Sequence, residues 1–127
     1  MDEIEKHLVA AEESLNEAKI LLEKGLYRGT VSRAYYSMFH SAKALLLTKN
    51  LSPRKHSGIV RVLGLEFVSK GYLEEVYAKA FKYAFDMRQK ADYGVEFVIS
   101  KEVAEELVEN AELFLERVKR AVEELRK

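Results

Sequence analysis

The sequence predicts an all-α fold, an up-and-down bundle of about five helices forming a single domain over residues 1–127. Three observations carry that prediction. Ala, Glu, Lys, Leu and Arg, all strong helix formers, supply 68 of the 127 residues. Apolar residues recur at alternating steps of three and four along most of the chain, the period of one helix face. The stretches between these segments are short, and short connections between long helices favour antiparallel neighbours. There is one proline, no internal repeat and no linker-like composition.

In the first segment Ile4, Leu8, Ala11, Leu15, Ala18 and Leu22 form one apolar stripe. Asp2 with Glu5 resembles a capping box at its start, and Gly25 is a natural stop. A second helix is expected from about Gly29 to Lys49, followed by a loop from Asn50 to His56 that contains Pro53. Ser57 is the expected cap of a shorter third helix ending before Gly71. A fourth covers about Tyr72 to Ala91, with Leu73, Val76, Tyr77, Ala80, Ala84 and Met87 facing inward. A fifth starts after a Ser100 cap, with the stripe Val103, Leu107, Ala111, Phe114, Val118, Ala121 and Leu125. Only the short run Val95 to Ile99 alternates weakly in the manner of a strand.

Two helices carry more than a core stripe. On the second, Val31, Ala34, Tyr35, Met38, Ala42, Leu45 and Leu46 make one face, and Arg33, Tyr36, His40, Lys43 and Leu47 make another. A helix apolar on one side and basic-aromatic on the other lies mid-bundle or at a second interface. On the fourth, Phe81, Phe85, Arg88 and Asp92 fall on a line separate from the inward stripe. Two large aromatics on an outward line point to a covered surface, so Phe81 and Phe85 are the dimer-interface candidates.

The formal net charge is zero, from 21 basic and 21 acidic residues, yet the charges are segregated. Residues 1–23 sum to −5, residues 24–65 contain no acid and sum to +8, residues 66–91 sum to +1 and residues 92–127 to −4. Such a pattern can create a local positive field that the zero total conceals. Disorder and low-complexity classes are excluded by 48% hydrophobic and 33% charged residues. The absence of Cys removes disulfides, thiol nucleophiles and thiolate zinc sites. Asp2 and Glu3 near the start argue against a signal peptide, no uncharged run approaches the roughly 20 residues of a membrane span, and a cytoplasmic location is expected.

Familiar catalytic patterns are missing. A di-iron bundle needs Glu-x-x-His pairs, but Ile4, Ser37 and Pro53 stand three residues before His7, His40 and His56. There is no H-E-x-x-H, no Gly-rich phosphate loop and no G-x-S-x-G elbow, so neither a metal nor a cofactor is expected. Three polar clusters remain. Arg33 and His40 lie seven residues apart, two helical turns, and share a face. There Arg can hold a phosphate while His exchanges a proton; ordinary surface or interface roles fit the same spacing. Arg88 and Asp92 have the spacing of an i,i+4 ion pair and, with Tyr93, could form an anion or base site. The segment Pro53 to Ser57, with Arg54, Lys55 and His56, either grips a phosphate at a helix start or is a solvated turn.

The motifs R-A-Y-Y at 33–36 continuing to His40, A-K-A-L at 42–45, H-S-G at 56–58 and R-x-x-A-D-Y at 88–93 resemble the HEPN domain family, and more narrowly its small stand-alone prokaryotic branch. The resemblance runs from about Glu5 to Ala121. It implies an up-and-down helical bundle, commonly a homodimer, often encoded beside a minimal nucleotidyltransferase in toxin–antitoxin-like pairs. Members of other branches are metal-independent ribonucleases with an R-x(4–6)-H motif. Here the corresponding site reads R-x4-Y, because the fifth residue after Arg88 is Tyr93; Arg33-x6-His40 fits the expression but lies inside the second helix.

Three functions follow as expectations. The first is a partner subunit of a minimal nucleotidyltransferase that binds nucleotide or RNA through Arg33, Tyr36, His40, Lys43, His56, Arg88, Asp92 and Tyr93. The second is a metal-independent ribonuclease in which Arg33, His40, Arg88 and Tyr93 of two protomers share one cleft. The third is a dimeric adaptor without chemistry.

Overall fold

A computed structural model describes residues 1–127. Its regular elements are α1 (Glu3–Glu23), α2 (Tyr27–Leu47), α3 (His56–Leu63), α4 (Glu75–Tyr93) and α5 (Lys101–Leu125), with one turn of π-helix (Gly64–Val68) running directly on from α3. The Asp2 carboxylate caps α1 by accepting from the Glu5 N–H at 2.8 Å, and Ser100 Oγ caps α5 by accepting from Val103 N–H at 3.1 Å. Gly25 ends α1 in the left-handed region at φ 74°. The N–H of Leu26 then reaches back to the Leu21 carbonyl, closing the helix by a 6→1 bond. The same closure recurs at Asn50 (φ 58°), with Leu51 bonding Leu46, and at Gly71 (φ 81°), with Tyr72 bonding Phe67. Asn is among the few non-glycine residues that enter this region readily.

α2 is the hub. α1, α4 and α5 all pack on it, and α5 also lies along α1. Successive helices α1 and α2 lie closely side by side, whereas α4 and α5 meet through Tyr77, Phe81 and Phe114. Their connection carries the chain past α2. Its backbone is held by Arg28 of α2, whose guanidinium donates to the carbonyls of Ala91, Gly94 and Phe97. That grip also places positive charge at the C-terminus of α4, where the helix dipole favours it. Residues 95–99 are irregular and form no strand.

Other boundaries shift for local reasons. α2 starts at Tyr27, two residues before the expected Gly29. α3 begins at His56 behind Lys55, which makes no side-chain cap, so Ser57 is a first-turn residue and not the cap. The apolar run after Leu63 continues through the π turn, where the Ser69 N–H bonds the Gly64 carbonyl. α4 starts at Glu75, three residues later than expected, and Val76 in its first turn is 65% exposed.

The most consequential correction concerns Phe81. It is fully buried and lies over Tyr35 at 5.7 Å and 9°, and over Phe114 at 5.8 Å. It therefore belongs to the core and not to an outward interface. α4 sits in the angle between α2 and α3, so its Phe81–Phe85 line meets neighbours that a one-sided stripe does not anticipate. Phe85 is half-buried against His56. Replacing Phe81 with Ala is expected to cost about 3–5 kcal/mol in denaturant unfolding, while Val76→Ala should stay within about 0.5 kcal/mol. Comparable small losses at both positions would contradict this packing.

Candidate functional site

The open face of α2 and the C-terminal half of α4 meet around one ring. The Arg33 guanidinium carbon lies 4.8 Å from the Tyr36 centroid, and that of Arg88, from α4, lies 4.9 Å from the same centroid. Arg88 also lies over Tyr35 at 5.5 Å. Cation–π attraction of this sort holds a guanidinium in place without consuming its donors. Each arginine has one carboxylate beside it: Glu17 Oε1 stands 3.6 Å from an Arg33 terminal nitrogen, and Asp92 Oδ2 stands 3.1 Å from Arg88 Nε. The Arg88 Nε–H is buried and is not aligned for a hydrogen bond, so this contact is a charge pair only. Ser32 Oγ donates to the other Asp92 oxygen at 3.1 Å and fixes the carboxylate from α2. Residues 32, 33 and 36 thus come together with 88 and 92. Tyr93 stays out of the cluster with its side chain largely in solvent, 73% exposed.

His40 faces a residue that the sequence reading left aside. Its Nδ1 lies 3.0 Å from Nδ1 of His7 on α1, so one ring donates the hydrogen that the other accepts. Burial lowers both imidazoles below their ordinary value. For His40 the charges of His7, Arg33 and Lys43 push the same way, and for His7 Lys43 does so against Glu3. Burial thus favours the neutral form of both rings. No His, Cys, Asp or Glu joins them to make a three-ligand group. Lys43 donates to the Pro53 carbonyl at 3.1 Å and lies over Phe39, tying α2 to the loop before α3.

His56 turns inward from the Pro53–Ser57 segment and not outward to a phosphate. Its ring stacks on Phe85 with centroids 3.8 Å apart, and its Nδ1 is 3.1 Å from the Tyr35 hydroxyl. Burial pushes Tyr35 up to about 12, so the phenol stays protonated, and the His56 tautomer decides which of the two groups donates. Burial likewise pulls His56 down to about 4, opposed by Asp86 and assisted by Lys82. The Nε2 atom is buried without a partner. Beside it an open groove of about 290 Å³ is lined by His56, Ser57, Val60, Lys82, Phe85 and Asp86. Tyr35 connects this groove to the arginine cluster, since Arg88 lies over its ring and His56 binds its hydroxyl.

Of the residues singled out from sequence, Arg33, Tyr36, Arg88 and Asp92 form one cluster. Phe85 and His56 adjoin it, His40 and Lys43 lie further along α2, and Tyr93 is separate. The missing members are Ser32, Tyr35 and His7. Ser32 precedes the R-A-Y-Y motif and Tyr35 lies within it, whereas nothing in the local pattern of α1 marks His7.

The depressed His56 fixes the sign of a pH effect. Its unfolded value is near 6.5 and its folded value near 4, so the unfolded chain binds more protons between them. Stability should fall as pH drops from 6.5 and level off below about 4. Because the ring is partly open to solvent, the loss from His56 should be about 1–2 kcal/mol. Urea unfolding from pH 7.5 to 4 in the original chain and in His56→Gln tests this, and the variant should show the shallower slope. Equal slopes would remove His56 as the cause.

No helix is long and apolar enough to cross a membrane. Among known proteins, the chain is 48% identical over 124 residues to a candidate toxin of Methanocaldococcus jannaschii, covering 98% of this chain and 92% of that protein. A second candidate toxin of the same organism is 40% identical over 93% of this chain and 80% of its own length. A UPF0332 protein of Archaeoglobus fulgidus is 36% identical over 96% of this chain and 97% of its own. The family model described as the HEPN domain matches residues 4–121, from the second residue of α1 to near the end of α5. With that match spanning all five helices and the cluster they surround, the chain belongs to the HEPN domain family.

Proposed function

We propose that this protein is the HEPN subunit of a toxin–antitoxin-like pair, that its partner is a minimal nucleotidyltransferase, and that it binds RNA or a nucleotide at the Arg33–Tyr36–Arg88 cluster. The observation that carries the binding step is the convergence of two guanidiniums from different helices on one tyrosine ring. Relatives named as candidate toxins support the toxin reading. The family resemblance supplies the partner. A homodimer is part of the proposal. With Phe81 in the core, one exposed apolar group that can build it is Tyr93 at the end of α4 with Val95 and Val98 of the connection that follows.

A second reading is a metal-independent ribonuclease, favoured by the neutral His7–His40 pair. In the tautomer in which His40 donates its Nδ1–H to His7, its Nε2 carries the lone pair that can take the proton of a ribose 2′-hydroxyl. That oxygen then attacks the adjacent phosphorus and the 5′-oxygen leaves, while a guanidinium stabilises the extra negative charge.

Titration with RNA should give binding that weakens steeply with salt and falls at least tenfold in Arg88→Ala. Binding that ignores salt, or no binding to RNA or ATP, removes this reading. Expression of the chain alone should arrest growth, and co-expression of a nucleotidyltransferase encoded beside it should relieve the arrest. Cleavage of RNA in EDTA that disappears in His40→Ala would select the ribonuclease.

A further inference from the structure

Resting on the reading of this cluster as an anion site, we infer that Arg33 and Arg88 grip two neighbouring phosphates of a polynucleotide backbone and do so without reading the bases. The two side chains keep hydrogen-bonding capacity that Arg28, Lys43 and Lys49 spend on the fold, and, unlike the equally unbonded Lys24, Arg54, Lys55 and Arg61, they converge on one aromatic ring. Arg28 spends its guanidinium on three backbone carbonyls, Lys43 donates to Pro53 and Lys49 donates to Glu66. Arg33 and Arg88 make no hydrogen bond to the chain; they are steered by a ring and one carboxylate each. Their terminal nitrogens stay available for the bidentate contacts that phosphate oxygens favour.

The spacing admits two phosphates of one strand. Each guanidinium carbon lies under 5 Å from the same centroid, so the two are at most about 10 Å apart. A pair so placed can take two successive phosphates of one strand. Glu17 and Asp92 face the cluster and would repel an anion, but Asp92 is tied to Ser32 and Glu17 is more than half exposed, where water screens it.

The rings of the site are occupied. Base recognition on a single strand uses open aromatic faces for stacking. Tyr36 is covered by the two guanidiniums and has Tyr35 and Phe39 at its edges. Tyr35 lies on Phe81, and Phe85 lies on His56. The tyrosine faces beside the two arginines are thus taken, so recognition there falls to phosphate charge.

Fluorescence anisotropy with twelve-nucleotide oligo(U), oligo(A) and oligo(dT) tests the inference on the unaltered chain. The three should bind within about threefold of one another. The slope of log K against log salt should be near −1.4, the value for two phosphate contacts on a single strand at about −0.7 each. Inorganic tripolyphosphate should displace the oligomers, and adenosine at the same concentration should not. Arg33→Ala and Arg88→Ala should each weaken binding about tenfold and flatten the slope by about 0.7. A preference above tenfold for one base, binding of RNA without oligo(dT), or displacement by adenosine would overturn the phosphate inference and leave the anion site standing. Absence of binding to every polymer at low salt would overturn both.

Discussion

The Tyr35 hydroxyl has to find a partner inside the bundle, and much of the rest is arranged around that need. A buried hydroxyl without a hydrogen bond costs on the order of 1–3 kcal/mol. Here the partner is His56 Nδ1 at 3.1 Å. The ring is kept neutral by burial against Phe85. Phe81 then fills the space between Tyr35 and Phe114, linking α2, α4 and α5 in one aromatic column while His56 brings in α3. Arg88 crosses the outer side of this column and is held over both tyrosines. The cationic site is thus the surface of a packed column, and its arginines inherit their positions from it.

The electrostatic pattern of the sequence changes meaning once folded. Residues 24–65 carry eight bases and no acid. Several of these bases act as staples: Arg28 on the α4–α5 connection, Lys43 on the loop before α3, and Lys49 on the Glu66 carbonyl and over Phe67 and Tyr72. Arg33 is paired across to Glu17 of acidic α1. The acidic outer helices therefore do more than balance charge: Glu12, Glu17 and Glu112 each engage a cation from another helix. From the positive stretch Arg33 alone enters the cluster, where Arg88 of α4 joins it.

Features set by neighbouring residues were legible in the sequence. The stripes of α1 and α5, the caps Asp2 and Ser100, the stop at Gly25 and the Arg88–Asp92 pair all depend on residues within one or two turns. Features set by packing were not. Ser57 looks like a cap, but the chain is already helical one residue earlier. Phe81 reads as outward because a single stripe assumes one buried side, and α4 has two. Arg33 meets Arg88, and His7 meets His40, across 55 and 33 residues, separations at which only the topology decides. The motifs named the right residues of α2 and α4 without indicating that they share a ring.

Arg28 has one more consequence. It holds the backbone of the α4–α5 connection from behind, through the carbonyls of Ala91, Gly94 and Phe97, while the side chains of Val95 and Val98 project the other way. Main-chain shape and outward chemistry are therefore uncoupled in this segment. Mutation can repaint the protruding side chains while the arginines a turn away keep their alignment. A lineage can vary the chemistry of this ledge without re-evolving the arginine cluster.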